Sequence, residues 1–553
     1  MESVNRSQSP EKDETDAAYT SPGAEKAATT SDDNIDTPTQ PTRTISPARF
    51  WITILSLSLL GFVSALDVTI IPPALPTIIE NLGGSTQYIW TANSFVLASS
   101  VFQPLVGQLA NILGRKMPTI ASISLFIIGS GIAGGATNLA MLIAGRAVQG
   151  VGAGGIYVLI DIVTCDFVPL RERGKFLGIV QASGGVAAAL GPVVGGALAA
   201  KNWHWIFYIN LPICALPLLT IILFMHAHKG TGADTFRNLD YVGNLVFTPS
   251  VFAVLYALIS GGIEHPWSSW RVLVPLVIGL AGWAFFHLYQ HYFASNPSIP
   301  TRLFTTRTSA TGFALSFLSA VLLQTIGFFL PVYFQSVLGT SVSLSGVYFL
   351  PVTVGVLFSA AGAGVVLSKF GQYRPLHVVA FALSVLGYGL VHLLDQSTYK
   401  AVWVILELLL SVGLGITIST ILPAILAALP DSDVASANAA FSFVRTFGFT
   451  WGVTLASIIF NAVFNRNLSQ IELPSLRDEL RNGGAYAFAS QVEKVKPLID
   501  AESWNQILRV YIASLRSVWW FGLGTSILAL LLVVVEEDLV LSTELETDYG
   551  LHD

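Results

Sequence analysis

Asp67 lies inside LSLLGFVSALDVTIIPPALP, residues 57–76, an otherwise apolar run long enough to cross a bilayer. Arg146, Asp161, Glu407 and Arg445 sit inside comparable runs. A charge at the centre of a bilayer costs on the order of 2.5–3.5 kcal/mol on insertion scales, so such residues turn inward and take a partner. A carboxylate near an arginine feels two opposing effects: the cation favours the ionised form and burial favours the neutral one. A group balanced between them can load and unload a proton as access alternates between the two sides. Asp161 stands nearer one end of the Arg146 segment, where a solvated or capping role is equally open.

Other polar positions add to this set. Arg146, Gly150 and Gly154 are four apart and share a helix face, so the arginine presents its fork while the glycines admit a neighbouring helix. Gln149 adds an amide on the same turn. Trp403, Glu407, Ser411, Gly415 and Ser419 form one stripe of another helix. Glu407 falls only about six residues from its end, where a solvated position is a serious alternative, whereas Arg445 falls near mid-membrane at about 1.5 Å rise per residue. Gln149, Gln324, Glu407 and Arg445 are the candidates for a substrate cavity. Gly191, Pro192, Gly195 and Gly196 place small residues at helix-contact spacing around a proline that removes a backbone donor. His287 and His291 are four apart, and His226 and His228 form a second pair, but interfacial anchoring explains both and no metal site is expected. Cys165 and Cys214 read as small core residues.

The elements that must position these residues are membrane helices. Of 553 residues, 53% are hydrophobic and 11% charged, against about 25% charged in soluble chains. A soluble chain of this length could not hide so much apolar surface. Fourteen apolar runs are found, near 50–72, 88–110, 117–137, 139–165, 174–200, 203–226, 241–262, 271–293, 309–335, 343–367, 375–394, 401–428, 435–463 and 515–536. The net charge of −6 hides acidic tails, −4 over residues 1–49 and −7 over 536–553, around a membrane body of +5. This excludes nucleic acid as a partner and favours a bilayer with basic loops. Eleven Lys and Arg occupy the short loops on the side of the tails and three the opposite short loops, which places both termini in the cytosol. Asn467-Leu468-Ser469 is a glycosylation sequon in the long loop after span 13, on the outer face in this orientation. The Ser/Thr/Pro-rich first 48 residues read as a disordered cytosolic tail.

A short repeat divides the chain. Gly107, Gly114 and Pro118 in GQLANILGRKMP match Gly364, Gly371 and Pro375 in GVVLSKFGQYRP, each between two spans on the tail side. With spans 7 and 8 as an insert, both copies join the second and third helix of a six-helix half. Parallel halves of this kind are a transporter plan. The expected fold is an all-α polytopic membrane protein of 14 transmembrane helices. Its expected parts are a tail (1–48), an N-terminal six-helix bundle (49–226), a linker with two extra spans (227–300), a C-terminal six-helix bundle (301–540) that includes an outer loop (465–514), and an acidic cytosolic tail (541–553).

Six segments in order resemble the major facilitator superfamily, in its fourteen-span drug:proton antiporter branch of fungal type. They are LDVTIIPPALPTI (66–78), GQLANILGRK (107–116), LIAGRAVQGVGAGG (142–155), DFVPLRERGKF (166–176), LGPVVGGAL (190–198) and NWHWIFYINLP (202–212). The resemblance covers residues 50 to about 536. It implies that spans 1 and 4 line a cavity and bring Asp67 and Arg146 into one half, either as a proton-coupling site with Asp161 or as a fixed pair tying the two spans. It implies a gating loop at Gly107, Asn111, Gly114, Arg115 and Lys116, and an antiporter motif at Gly191, Pro192, Gly195 and Gly196. Asn111 departs from the aspartate usual in that loop, and its coupling to the gate is expected to be softer. The implied function is proton-coupled export of small hydrophobic compounds by a monomer in the plasma membrane. The partners are the bilayer, protons and the substrate, with no cofactor. A transporter of one specific solute, such as basic amino acids or an iron chelate in a vacuolar membrane, is the competing reading. No G-x-x-x-x-G-K-[ST], G-x-S-x-G or H-E-x-x-H occurs, so neither ATP-driven transport nor an enzyme is indicated.

Overall fold

In lipid every backbone donor and acceptor must be satisfied within the span, so apolar runs of this length fold as helices. The computed structural model describes residues 47–82, 89–225, 239–262 and 265–542. The expected tails, from residue 46 back and from 543 on, the His226–His228 pair and the Pro192 side chain lie outside the described residues. Twelve helices among the described residues are long and apolar enough to cross a membrane, and two bent pairs bring the number to fourteen.

The first six spans are α1 (Pro47–Leu82), α2 (Ile89–Val101) with α3 (Gln103–Leu113), α4 (Lys116–Gly134), α5 (Leu139–Phe167), α6 (Leu170–Lys201), and α7 (Trp205–Tyr208) with α8 (Asn210–Phe224). The second span bends by 42° at Phe102, and the fifth turns by 41° between Leu170–Ala188 and Val193–Ala199. Two further helices follow, α9 (Tyr241–Ser260) and α10 (Trp270–Tyr292). The last six spans are α11 (Arg307–Ser336), α12 (Val342–Tyr348) with α13 (Leu350–Phe370), α14 (Arg374–Val391), α15 (Lys400–Ala427), α16 (Val434–Asn467) and α19 (Ala501–Val533), with the short α17 (Pro474–Leu480) and α18 (Gly484–Val495) before the last.

Close packing fixes the central helix of the first half. The side chain of Asn138 caps α5 by accepting from the Met141 amide at 2.9 Å. Gly150 and Gly154 of α5 lie so close to α2 that an added Cβ would stand 2.4 Å from the Phe95 carbonyl and 2.1 Å from that of Ser99. On another side Gly152 meets α4 at Phe126 in the same way. The glycine stripe thus sets α5 between two neighbours, where most of its side chains are buried.

The inserted pair docks on the first half through amides. Asn244 donates to Gln108 Oε1 at 2.9 Å, and Gln108 Nε2 donates to the Asn296 carbonyl at 3.1 Å. At the far end of the linker Arg302 holds Asp433 with two bonds, at 2.8 and 2.6 Å.

The last span differs from its expected limits. Its helix runs Ala501–Val533, not 515–536, so residues 501–514 of the expected outer loop belong to it. Trp504, Ile507, Leu508, Val510 and Tyr511 are buried there, and that apolar face continues the helix without a break. The chain then runs back across the ends of the C-terminal helices. Glu536 receives His377 Nδ1 at 2.9 Å with both side chains fully buried. Leu541 packs with Leu367, Tyr373 and Ala424, and the Ser542 carbonyl accepts the Arg171 amide at 3.0 Å. Removing one partner of a buried pair strands the other. His377→Leu is therefore expected to lower stability by about 3 kcal/mol, read as an earlier thermal unfolding of the detergent-purified chain. An unchanged midpoint would show that the pair is dispensable.

Candidate transport site

Asp67 is fully buried on α1, and three side chains donate to it. Arg146 of α5 bonds its Oδ2, while Gln149 Nε2 and Asn210 Nδ2 bond its Oδ1 at 2.7 and 2.8 Å. Each donor is itself tied. Arg146 Nε donates to the Thr91 carbonyl of α2 at 3.1 Å, and Arg146 Nη1 donates to Gln149 Oε1 at 2.7 Å. Gln149 also donates to Ser130 Oγ of α4 at 2.8 Å. The Arg146 guanidinium lies 4.3 Å over the centre of the Phe95 ring. Five spans thus converge on one carboxylate, which accepts three hydrogen bonds, two at Oδ1 and one at Oδ2.

A second polar cluster joins the halves. Asp161, buried nearer the other end of α5, accepts from Ser442 Oγ of α16 at 3.2 Å, with Arg445 Nη2 at 3.9 Å. Neither a solvated nor a capping role fits this buried, bonded position. Arg445 is partly open and borders a cavity of about 50 Å³ whose other walls are Gly61 and Ala65 of α1, Tyr157 and Ile160 of α5, and Val180, Gln181 and Gly184 of α6. Tyr157 lies between the two clusters on α5.

The expected gating loop sits where the halves touch. Gly114 has φ +76°, a conformation that favours glycine. Gly107 faces α16 so closely that an added Cβ would stand 2.2 Å from that of Ala439. Asn111 donates to Ser436 Oγ at 3.2 Å, so the amide makes an inter-half bond without a charge. Arg115 bonds Asp166 at 2.7 Å, the Ala110 carbonyl at 2.7 Å and Asn111 Oδ1 at 3.3 Å, while Lys116 reaches the Ile222 carbonyl at 2.8 Å. Arg171 donates across to the carbonyls of Ser368 and Lys369 at 2.8 and 2.6 Å. These inter-half bonds lie toward the end that carries the 2–3, 4–5, 10–11 and 12–13 connections, so that end is closed. On α6, added Cβ atoms at Gly191 and Gly195 would meet Thr69 and Ile70 of α1 at 2.0 and 2.2 Å, whereas nothing lies within 4 Å at Gly196.

The sequence model described as Major Facilitator Superfamily matches residues 57–453. The chain belongs to the major facilitator superfamily. Among its relatives, the "MFS efflux transporter aclA" of Aspergillus oryzae is 44% identical over 91% of this chain and 92% of its own. The "MFS-type efflux pump LUC4" of a Fusarium species is 41% identical over 98% and 96%. The "Efflux pump FUS6" of Gibberella fujikuroi is 40% identical over 93% of each. Two solved members share the fold at 14% identity. The human organic anion transporter MFSD10 has a TM-score of 0.53, covering 83% of this chain and 99% of its own, and the proton:xylose symporter XylE has 0.54, covering 88% and 95%.

Within this superfamily fold the remaining candidates separate. Gln149 belongs to the Asp67 cluster, not to the cavity by Arg445. Gln324 is half-buried on α11, with its Cβ facing Gly452 of α16. Glu407 is buried, which rules out the solvated position its distance from the helix end suggested. Asn467 ends α16, its amide donating to the Val463 carbonyl at 2.8 Å. His287 packs between Trp283 and Phe286, and among the described residues no group of three His, Cys, Asp or Glu is placed to hold a metal. Sequence reasoning missed Asn210, Ser130 and Tyr157. The second asparagine of NWHWIFYINLP, set directly after the apolar WIFYI, was the available signal for the first.

Proposed function

We propose that this multi-pass membrane transporter is a proton-coupled antiporter that exports small hydrophobic organic compounds, with toxins and secondary metabolites as the substrate class. One observation carries the coupling: a fully buried carboxylate, Asp67, whose charge is met by an arginine and two amides from two neighbouring spans. Protonation removes the charge that Arg146 holds, so the proton and the Arg146 bond compete for the same group. The efflux names of relatives at 40–44% identity support the outward direction. The Arg445 cation on the wall of the cavity disfavours a basic amino acid at that place. Export from the cell calls for the plasma membrane, and the basic residues of the short loops put both termini in the cytosol. The closed end is then the cytosolic one.

The test is survival of an efflux-deficient yeast across a panel of toxic hydrophobic compounds, with expression and surface delivery matched. The native chain is expected to protect against a subset and Asp67→Asn against none. Equal protection by both would overturn proton coupling at Asp67, and no protection by the native chain would overturn broad export.

A further inference from the structure

Glu407 of α15 is 2% exposed, and neither of its carboxyl oxygens has a hydrogen-bond partner. Nor has Trp403 Nε1, one turn away on the same face. The other buried carboxyl groups among the described residues are each met by a donor: Asp67 by Arg146, Asp161 by Ser442, Asp166 by Arg115, Asp240 by Gln290, Asp433 by Arg302 and Glu536 by His377. Glu407 alone of this set has no cation and no donor.

Its surroundings offer none. Trp403 packs its ring against Phe334 of α11 and Tyr348 of α12, at 5.0 and 4.9 Å between centres. The titratable groups of α11 and α14 are engaged elsewhere. Tyr333 of α11 donates to the Asp395 carbonyl at 2.8 Å, and Tyr388 of α14 donates to the Leu322 carbonyl at 2.6 Å. His377 of α14 is paired with Glu536, and Arg307 of α11 with Glu537 at 2.6 Å. Lys369 of α13 and Arg374 of α14 stand at the closed end, and Arg374 donates to the Val534 carbonyl at 3.1 Å. Lys400, at the start of α15, lies 5.5 Å from the centre of the Tyr348 ring. A carboxylate in such a place is an uncompensated charge, whereas the neutral acid needs no counter-ion.

The face that carries Glu407 leads to the contact between halves. Below it Ser411 fits against Gly355 of α13 and Gly415 against Ser359. Ser419 then donates to the Ala360 carbonyl at 2.8 Å and lies beside Gly178 of α6, in the first half. Opening the closed end must part α6 from this stripe, and water admitted along it would reach Glu407.

We propose that Glu407 is a second proton site, in the C-terminal half, held as the neutral acid while the cytosolic end is closed and giving up its proton when that end opens. The step is a reversible O–H dissociation: the carboxylic acid becomes a carboxylate, the proton passes to water on the opened side, and the acid is restored from the opposite side. The proposal rests on the proton-coupled reading, and it puts a proton-carrying carboxyl group in the second half as well as the first.

The test is infrared difference spectroscopy of the purified full chain, in which a neutral buried carboxyl group absorbs apart from a carboxylate. A carboxylic-acid band at neutral pH is expected in the native chain and in Asp67→Asn. It should be lost in Glu407→Gln, restored at a shifted position in Glu407→Asp, and moved by transfer to D2O. A Glu407→Gln spectrum with the band intact overturns the proposal. So does a band that never responds to D2O, because a sealed acid moves no proton. Glu407→Asp keeps the test informative where Glu407→Gln folds poorly. Failure of the coupling reading looks different: protection in yeast that is indifferent to Asp67→Asn, whatever the spectra show.

Discussion

Arg146→Ala is expected to abolish export and to lower stability by about 3–5 kcal/mol, because it removes one partner of a buried ion pair and strands the other. Asp67 would keep only the two amides of Gln149 and Asn210. Gln149 Oε1 and the Thr91 carbonyl would lose their donor at the same time. The informative comparison is the double variant Asp67→Asn with Arg146→Gln. It removes both charges and keeps a group able to hydrogen-bond at each position. Replacing both partners of a buried pair by well-packed uncharged groups avoids the stranded charge, and with apolar residues of similar volume it is often neutral or stabilising. Its unfolding midpoint in detergent is therefore expected to return close to that of the native chain, while protection in yeast stays absent. That separation of stability from transport is what a coupling role demands. A double variant that is stable and still exports would reduce the pair to a tie between α1 and α5. A double variant as unstable as Arg146→Ala would show that the charges hold the bundle together.

The sequence exposed one side of this cluster and hid the other for a physical reason. Asp67 and Arg146 stand out because a charge in a long apolar run is costly wherever the run lands. Gln149, Gly150 and Gly154 follow from the helical repeat around Arg146. The fourteen spans are legible on the same local grounds. Asn210 and Ser130 carry no charge and have no periodic partner, and only the packing of the sixth and third spans brings them within reach of Asp67 and Gln149. Glu407 shows the limit of counting along a helix. About six residues from the end of the expected span 401–428 suggested solvent, but Phe334 and Tyr348 from two other elements cover that turn through Trp403. The return of residues 534–542 across the C-terminal helices was equally hidden, since it depends on Leu541 and Glu536 finding sites on distant segments. Local cost is readable from one segment. Pairing between segments is not.

Gly107→Ala is expected to shift the balance between the two access states and slow export, with little effect on the fold of either half. The new methyl group would stand 2.2 Å from the Ala439 Cβ across the closed end, with the Ala435 carbonyl at 3.4 Å. Overpacking of this kind costs typically 1–3 kcal/mol. Here it burdens only the conformation in which α3 and α16 touch, so the closed state loses population by roughly 5- to 150-fold relative to the open one. Two variants define the origin of the effect. Ala439→Gly in the same chain removes the opposing methyl group and is expected to restore export. Gly196→Ala adds a methyl group where nothing lies within 4 Å and is expected to leave export unchanged. A direct readout is a cysteine at Val106, which is buried beside Ala435 and Ala439 in the closed end. In a background without the two buried native thiols, Cys165 and Cys214, Val106→Cys should react faster with a cytosolic thiol reagent when Gly107→Ala is present. The rate should fall back when Ala439→Gly is added. Equal rates in all three would mean that the contact of Gly107 with α16 does not set the gate, and that closure rests instead on the Asp161, Asn111 and Arg171 bonds.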